Sequence, residues 1–164
     1  MRIIKIPKTI IEKLKPFGPR FIKVQKPVSG VRKSGKAAIE RGWKGNPYEA
    51  DDLLLQNWLR NGGNYGIVAG EGIGFLDLDD PRMQNLFEEQ VDTLTIQSGS
   101  GYGKHYGFRT DATENATILD KPDDKGQREN LGNLQIKNKY VVGPGSNHYT
   151  GGTYKIMKDL PFAW

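Results

Sequence analysis

Residues 73–80, Ile-Gly-Phe-Leu-Asp-Leu-Asp-Asp, have the side chains best suited to chemistry in this sequence. On a strand, alternate side chains share a face, so Asp77 and Asp79 project together and the leucines between them enter the core. Two close carboxylates repel each other, and a hard divalent cation such as Mg²⁺ or Mn²⁺ relieves that repulsion. Carboxylate-held metals are used in phosphoryl transfer. The alternative is that these acids only end an exposed strand and cap the next helix.

Two further segments could meet a phosphate or a sugar. Residues 98–108 form a glycine-rich turn that runs into a predicted strand with Lys104 and His105. Glycines let backbone N–H groups approach phosphates, although such turns are also common as purely structural features. Residues 140–149 end a predicted strand in a Pro-Gly-Ser loop that contains Ser146 and His148.

Composition excludes several classes of protein and site. The chain has 164 residues, 36% hydrophobic and 26% charged, which is typical of one soluble globular domain. There is no cysteine, which excludes disulfides, thiol nucleophiles and cysteine-based zinc sites, and two histidines are too few for a multi-histidine metal site. No membrane-length apolar run or signal-peptide pattern is seen, so we expect an intracellular, cytoplasmic protein that does not bind a membrane.

The basic charge is concentrated near the start of the chain. Residues 1–60 have a net charge of +9 and residues 61–164 one of −4, within a total of +5. This asymmetry indicates a positive face beside an acidic centre, as in proteins that bind polyanions. A lysine-rich segment that only improves solubility is the alternative.

Hydrophobic spacing and capping signals predict an α+β fold around a mixed or antiparallel sheet. Asn46, Pro47 and Glu49 form the capping pattern of one helix, and Asp80-Pro81 that of another. The predicted helices cover residues 8–15, 46–60 and 80–90. The predicted strands cover residues 21–24, 65–69, 74–79, 93–98, 105–110, 134–137, 139–142 and 153–157. Residues 26–46 are interpreted as a flexible basic loop, and residues 111–130 as a polar excursion or mobile hairpin.

The order of these motifs resembles the primase-polymerase (prim-pol) domain of the archaeo-eukaryotic primase superfamily, found in replication proteins of plasmids, phages and mobile elements. Its first motif is an apolar strand ending in Asp-x-Asp, matched by Asp77 and Asp79. Its second is a small residue, any residue and His, matched by residues 103–105, with glycine where serine is commoner. Residues 141–146 are similar to the closing strand and loop, and the resemblance extends from about residue 26 to 164.

The resemblance implies one prim-pol-like domain over residues 1–164, with a basic N-terminal α/β module in residues 1–63. Residues 64–164 would form a catalytic sheet like that of an RNA-recognition motif. The implied activity is that of a DNA primase/polymerase, a two-metal nucleotidyltransferase in the replication of a mobile element. Its partners would be single-stranded DNA template, primer, and dNTP or NTP, with a helicase or helical domain elsewhere in the full replication protein.

The resemblance also assigns roles to individual residues, with Mg²⁺ or Mn²⁺ as the cofactor. They are Asp77, Asp79 and His105 for catalysis; Asp77, Asp79 and Gln135 for the metal; Ser100, Gly101, Gly103, Lys104, His105, Ser146 and His148 for the nucleotide; and Arg32, Lys33, Lys36, Trp43 and Lys44 for nucleic acid.

Gln135 departs from the family pattern. The third motif has a carboxylate on the strand before the Val-Val-x-Pro-x-Ser loop, and Gln135 stands at that position. An amide oxygen can coordinate a metal but adds no negative charge to offset two dications. A naturally weakened or inactive site, an introduced Glu-to-Gln change and a different residue at the third position are the three explanations.

Two functions therefore remain open from the sequence. One is a template-dependent nucleotidyltransferase, and the other is a catalytically weakened or inactive nucleic-acid or nucleotide-binding module of the same fold. Gln135 and the short chain favour the second. A rolling-circle nicking enzyme is disfavoured because neither His105 nor His148 belongs to a His-x-His pair.

Overall fold

The computed structural model describes residues 2–164, and within them it has three α-helices and nine β-strands. The helices are α1 (Lys8–Leu14), which a 3-10 turn over Lys15–Phe17 extends, α2 (Leu53–Arg60) and α3 (Pro81–Glu88). The strands are β1 (Phe21–Val24), β2 (Asn64–Ala69), β3 (Ile73–Leu78), β4 (Thr95–Gln97), β5 (Lys104–Arg109), β6 (Ala116–Leu119), β7 (Asn130–Gln135), β8 (Lys139–Val142) and β9 (Lys155–Lys158). The predicted α+β class is confirmed. No helix within residues 2–164 has the length and apolar character needed to cross a bilayer.

The strands form two antiparallel sheets. The smaller has the order β1-β2-β8, and the larger has the order β6-β7-β3-β5-β4-β9. The main apolar core joins α1 and α2 to inward-facing residues of both sheets, including Tyr65, Ile67, Phe75 and Ile96. Strands β2 and β3 follow each other through a short turn, so the two sheets are joined directly by the chain.

The central strand β3 has different environments on its two faces. Leu76 and Leu78 are buried with Tyr106 against Met83 and Phe87, so α3 covers that face of the larger sheet. Asp77 lies between the two leucines and therefore projects from the opposite face. The structure thus confirms the predicted alternation of side chains on β3, with the leucines on the core face and Asp77 on the opposite face.

The capping prediction succeeds for α3 and is wrong for α2. Asp80 accepts a hydrogen bond from the backbone N–H of Arg82, with Pro81 at the first helical position. Helix α2 begins at Leu53 with Asp52 as its N-cap, not at Asn46. Residues 46–52 precede the helix, and Tyr48 pairs with β1 because its backbone exchanges two hydrogen bonds with that of Phe21.

The basic loop, residues 26–46, is more ordered than its composition suggests. Ala38 bridges Val24, and the backbone N–H of Ile39 donates to the carbonyl of Lys23, so the loop is paired to β1. Gly30 donates to the carbonyl of Tyr149, far along the chain. These contacts hold the loop on the smaller sheet.

The polar segment 111–130, interpreted from the sequence as an excursion or a hairpin, forms one arm of a β-hairpin. β6 lies within it and pairs with β7, which begins at Asn130, four residues before the strand start predicted from the sequence. Apolar periodicity misses β6 and the first part of β7 because their residues are mostly exposed or only partly buried. The hairpin places β7 beside β3, where it forms one wall of the candidate site.

Candidate active site

A cavity of about 290 Å³ opens between the two sheets, on the face of β3 opposite α3. The larger sheet supplies residues of β3, β5 and β7, and the smaller sheet supplies residues of β8. We call this the inter-sheet cavity. It is lined by Lys36, Asp77, Asp79, Ser98, His105, Gln135, Tyr140, Val141, Val142 and Tyr154. Four residues assigned from the sequence to catalysis or metal binding, Asp77, Asp79, His105 and Gln135, are thus brought together.

Asp77 and His105 form a cross-strand pair in this cavity. They are directly opposite each other on β3 and β5, and Nε2 of His105 lies 3.3 Å from Oδ1 of Asp77. The Nδ1 atom of His105 is buried and has no hydrogen-bond partner among residues 2–164. The imidazole therefore orients the Asp77 carboxylate and retains one unused nitrogen.

Asp79 lies just beyond the end of β3 and shares the cavity with Asp77. Burial raises the pKa of Asp79, and the nearby carboxylate of Asp77 raises it further, whereas His105 and Lys36 oppose the rise. The Asp79 carboxylate also rests against the glycine-rich turn, because a Cβ on Gly103 would lie 2.5 Å from its Oδ1. Cation binding would relieve the repulsion between the two carboxylates.

Gln135 supplies the cavity with an unused oxygen. Its Oε1 atom is buried and accepts no hydrogen bond from residues 2–164, a costly state for an amide oxygen. No cluster of three or more His, Asp or Glu side chains within residues 2–164 has the arrangement of a metal site. Two carboxylates and one free amide oxygen are nevertheless hard ligands of the type that Mg²⁺ and Mn²⁺ prefer. The side chains present thus fit a divalent cation.

The chain also matches a family of known proteins. The Prim-Pol family model, described as the N-terminal domain of bifunctional DNA primase/polymerase, matches residues 19–163. The chain belongs to this family. It is a DNA primase/polymerase-type domain, and the Prim-Pol family implies nucleotide and nucleic-acid substrates. No curated protein matches the sequence.

The glycine-rich turn of this Prim-Pol domain lies beside the inter-sheet cavity, but Lys104 does not enter it. Gly101 has a φ of 84°, which suits glycine, and the hydroxyls of Ser98 and Ser100 lie 3.3 Å apart. Lys104 precedes His105 on β5 and so faces the opposite side, where its Nζ pairs with Glu88 at 2.7 Å. The nucleotide role that the resemblance gives to Lys104 requires a side chain on the other face.

Ser146 and His148 also lie outside the cavity lining, where they support the fold. Ser146 is fully buried, and its Oγ accepts a hydrogen bond from the backbone N–H of Tyr65. His148 is 4% exposed, and its Nδ1 accepts from the backbone N–H of Thr150, which leaves Nε2 buried and unpartnered within residues 2–164. A Cβ on Gly99 would collide with Cβ of His148, so this histidine packs directly behind the glycine-rich turn.

Four of the five residues assigned to nucleic acid separate into two groups. Arg32 and Lys33 are exposed on the basic loop. Trp43 is partly buried and packs edge-on against Tyr140, with ring centroids 5.0 Å apart, and Lys44 lies over the Trp43 ring. Trp43 is therefore part of the support for β8, in addition to any contact with a template.

Sequence reasoning missed three polar residues of the cavity and gave a fourth a different role. Ser98, Tyr140 and Tyr154 line the cavity, and Lys36 does so too, although the resemblance assigns Lys36 to the template. Burial raises the pKa of Tyr154 to about 12, so its hydroxyl stays protonated at neutral pH. The alternation of residues 139–142 could have indicated Tyr140. No local signal could have placed Lys36 in the cavity.

Proposed function

We propose that this domain adds nucleotides to a primer on a single-stranded DNA template, in a reaction that requires Mg²⁺ or Mn²⁺ bound at Asp77 and Asp79. The observation that carries the proposal is the meeting of these two carboxylates with the free Oε1 of Gln135 in one cavity. The family resemblance further supports a role in the replication of a mobile element.

Individual residues of the cavity would bind the metal, orient Asp77 and contact the nucleotide phosphates. Asp77, Asp79 and the amide oxygen of Gln135 would hold the divalent cation, and His105 would keep Asp77 oriented until the cation binds. Bound ions would activate the primer 3′-hydroxyl and stabilise the pyrophosphate leaving group, as in two-metal nucleotidyl transfer. The glycine-rich turn, beside Asp79, would offer backbone N–H groups to the nucleotide phosphates.

Primer extension with an Asp77→Asn variant tests this proposal. The parent protein should extend a labelled primer on a DNA template with Mg²⁺ or Mn²⁺, and Asp77→Asn should reduce extension to background. Asp80→Asn is the matched control, because Asp80 is the neighbouring carboxylate that caps α3 and lies outside the cavity lining. Asparagine is an equally good N-cap, so this control should retain activity. Equal activity in parent and Asp77→Asn would overturn the proposal.

One observation favours the second candidate function, a binding module without catalysis. At the third-motif position the site has an amide, so its negative charge is limited to the two aspartates. If the parent binds primed DNA and nucleotide but extends nothing with either metal, the binding module is the correct reading. Activity that Asp77→Asn abolishes would exclude it.

A further inference from the structure

Lys36 is a cation at the inter-sheet cavity that is not neutralised by a nearby carboxylate. Its side chain lines the cavity with Asp77 and Asp79, yet within residues 2–164 no carboxylate oxygen lies within 4.0 Å of its Nζ. Lys104, by contrast, is paired with Glu88. Lys36 is exposed, and its ammonium lies 5.8 Å from the ring centre of Tyr149. Its charge opposes the rise in the pKa of Asp79 and adds to the lowering of the pKa of His148 that burial causes.

The backbone around Lys36 is held from the side of the smaller sheet. The Tyr140 hydroxyl donates to the carbonyl of Lys36 at 2.7 Å and accepts from the N–H of Ala38 at 2.8 Å. The buried side chain of Asn64 donates to the carbonyl of Gly35 at 3.0 Å. Tyr140 belongs to β8 and Asn64 to β2, so the smaller sheet fixes the backbone position of Lys36.

We propose that Lys36 contacts the polyphosphate of the incoming nucleotide. The proposal rests on the proposed function, and it differs from the template role that the resemblance gives this residue. A nucleotide triphosphate that approaches the cavity is repelled by the negative charges of Asp77 and Asp79. Gln135 is neutral and adds nothing to that repulsion. The ammonium of Lys36 at the same cavity lowers that electrostatic barrier, and lysine binds phosphate as a point charge.

Equilibrium nucleotide binding tests the proposal without catalysis. Binding of dATP and of dAMP is measured with Ca²⁺ in place of Mg²⁺, using the full chain and its Lys36→Gln variant. Loss of a charge-assisted contact should weaken dATP binding about tenfold or more, with little effect on dAMP. Lys36→Arg should restore most of the affinity because it keeps the charge. Lys26→Gln, exposed on the same loop but outside the cavity lining, is the matched control and should bind dATP like the parent.

A second variant tests the positioning. Tyr140→Phe removes the hydroxyl that holds Lys36 and Ala38 but keeps the ring that packs on Trp43, so it should reproduce part of the dATP loss and leave dAMP binding unchanged. If Lys36→Gln leaves dATP binding intact, or weakens single-stranded DNA binding instead, the proposal is overturned and the template role is favoured. A parent protein that binds no dATP would overturn the proposed function itself, and the role of Lys36 with it.

Discussion

The Nε2 atom of His105 lies 3.3 Å from Oδ1 of Asp77, across the β3–β5 ladder on the face that opens between the two sheets. Directly opposed residues on antiparallel strands have their Cβ atoms close together, so the sheet itself brings this imidazole to this carboxylate. The two side chains are only 12% and 25% exposed. A metal that binds Asp77 must therefore compete with a contact that the fold supplies.

The first prediction concerns that contact. In a double-mutant cycle of Asp77→Ala and His105→Ala, the free energies of unfolding in urea should show a coupling of about 1 kcal/mol without metal, as for a typical intramolecular hydrogen bond. Saturating Mn²⁺ should reduce the coupling because the cation takes over the carboxylate. A cycle of Asp80→Ala with His105→Ala should be additive. Additivity in the Asp77 cycle would show that the pair contributes nothing.

The second prediction concerns Gln135. Replacing its amide with a carboxylate in Gln135→Glu should raise Mn²⁺ affinity, because a charged oxygen binds a hard dication more strongly, and primer extension should appear or increase. Without metal, stability should fall slightly because three carboxylates then share the cavity.

Gln127→Glu is the matched control for that substitution. It adds the same charge on the exposed loop between β6 and β7 and should change neither metal affinity nor extension. If Gln135→Glu leaves full parental activity and metal affinity unaltered, Gln135 does not occupy the third acidic position.

The third prediction is that the pKa of Asp79 lies above the ordinary aspartate pKa of 3.8 and that of Asp80 below it. Carboxyl ¹³C NMR in metal-free solution measures both. Burial and Asp77 raise the pKa of Asp79, whereas the Arg82 side chain and backbone lower that of Asp80 to about 2. Asp79 therefore favours the fold below about pH 3.8, and this contribution is lost as pH rises through its folded pKa. Asp80 stabilises the fold above that pH and stops doing so as pH falls towards 2.

The Asp77→Asn variant separates the effect of burial on the pKa of Asp79 from the effect of the Asp77 charge. Removing the neighbouring charge should lower the pKa of Asp79 while leaving that of Asp80 near 2, since Asp80 is governed by Arg82. An Asp79 titration that does not respond to Asp77→Asn would place the two carboxylates too far apart to share one cation.

Local signals predicted those parts of the fold that local interactions determine. The buried strand β3 and the capped start of α3 follow from side-chain alternation and from the Asp80-Pro81 pair. The start of α2 did not, because the pairing of Tyr48 with Phe21 keeps residues 46–52 out of the helix despite a good capping pattern. β6 and β7 were missed in part for the same reason: pairing with neighbouring strands, rather than burial, defines them.

The candidate site shows the same division. Asp77, Asp79 and His105 could be found from the sequence because each lies in a motif whose strand periodicity fixes its face. The same rule argues against Lys104, because adjacent residues of a strand face opposite sides and His105 occupies the cavity face. Lys36 could not be placed, because the hydroxyl of Tyr140 that positions it lies 104 residues away in the sequence.

The fourth prediction concerns Asn64, which joins three parts of the chain. This fully buried side chain donates to the carbonyls of Gly35 and Asn147 and accepts from the N–H of Asn147. Asn64→Ala leaves these groups unpaired and should lower the free energy of unfolding by about 3 kcal/mol. Asn61→Ala, which removes one exposed hydrogen bond at the end of α2, should cost about 1 kcal/mol or less. Equal losses in the two variants would contradict this account.

The fifth prediction concerns single-stranded DNA. Arg32 and Lys33 are exposed on the basic loop, and within residues 2–164 neither pairs with a carboxylate. If both neutralise template phosphates, replacing them with alanine should reduce the slope of log affinity against log salt by about 1.4, at about 0.7 per phosphate on a single strand. Fluorescence anisotropy of a labelled oligonucleotide over a series of NaCl concentrations measures that slope. Replacing Lys121 and Lys125, two exposed lysines on the β6–β7 loop, removes the same charge and should leave the slope unchanged. Equal slopes for parent and both double variants would mean that the basic loop does not bind the template and contributes only solubility.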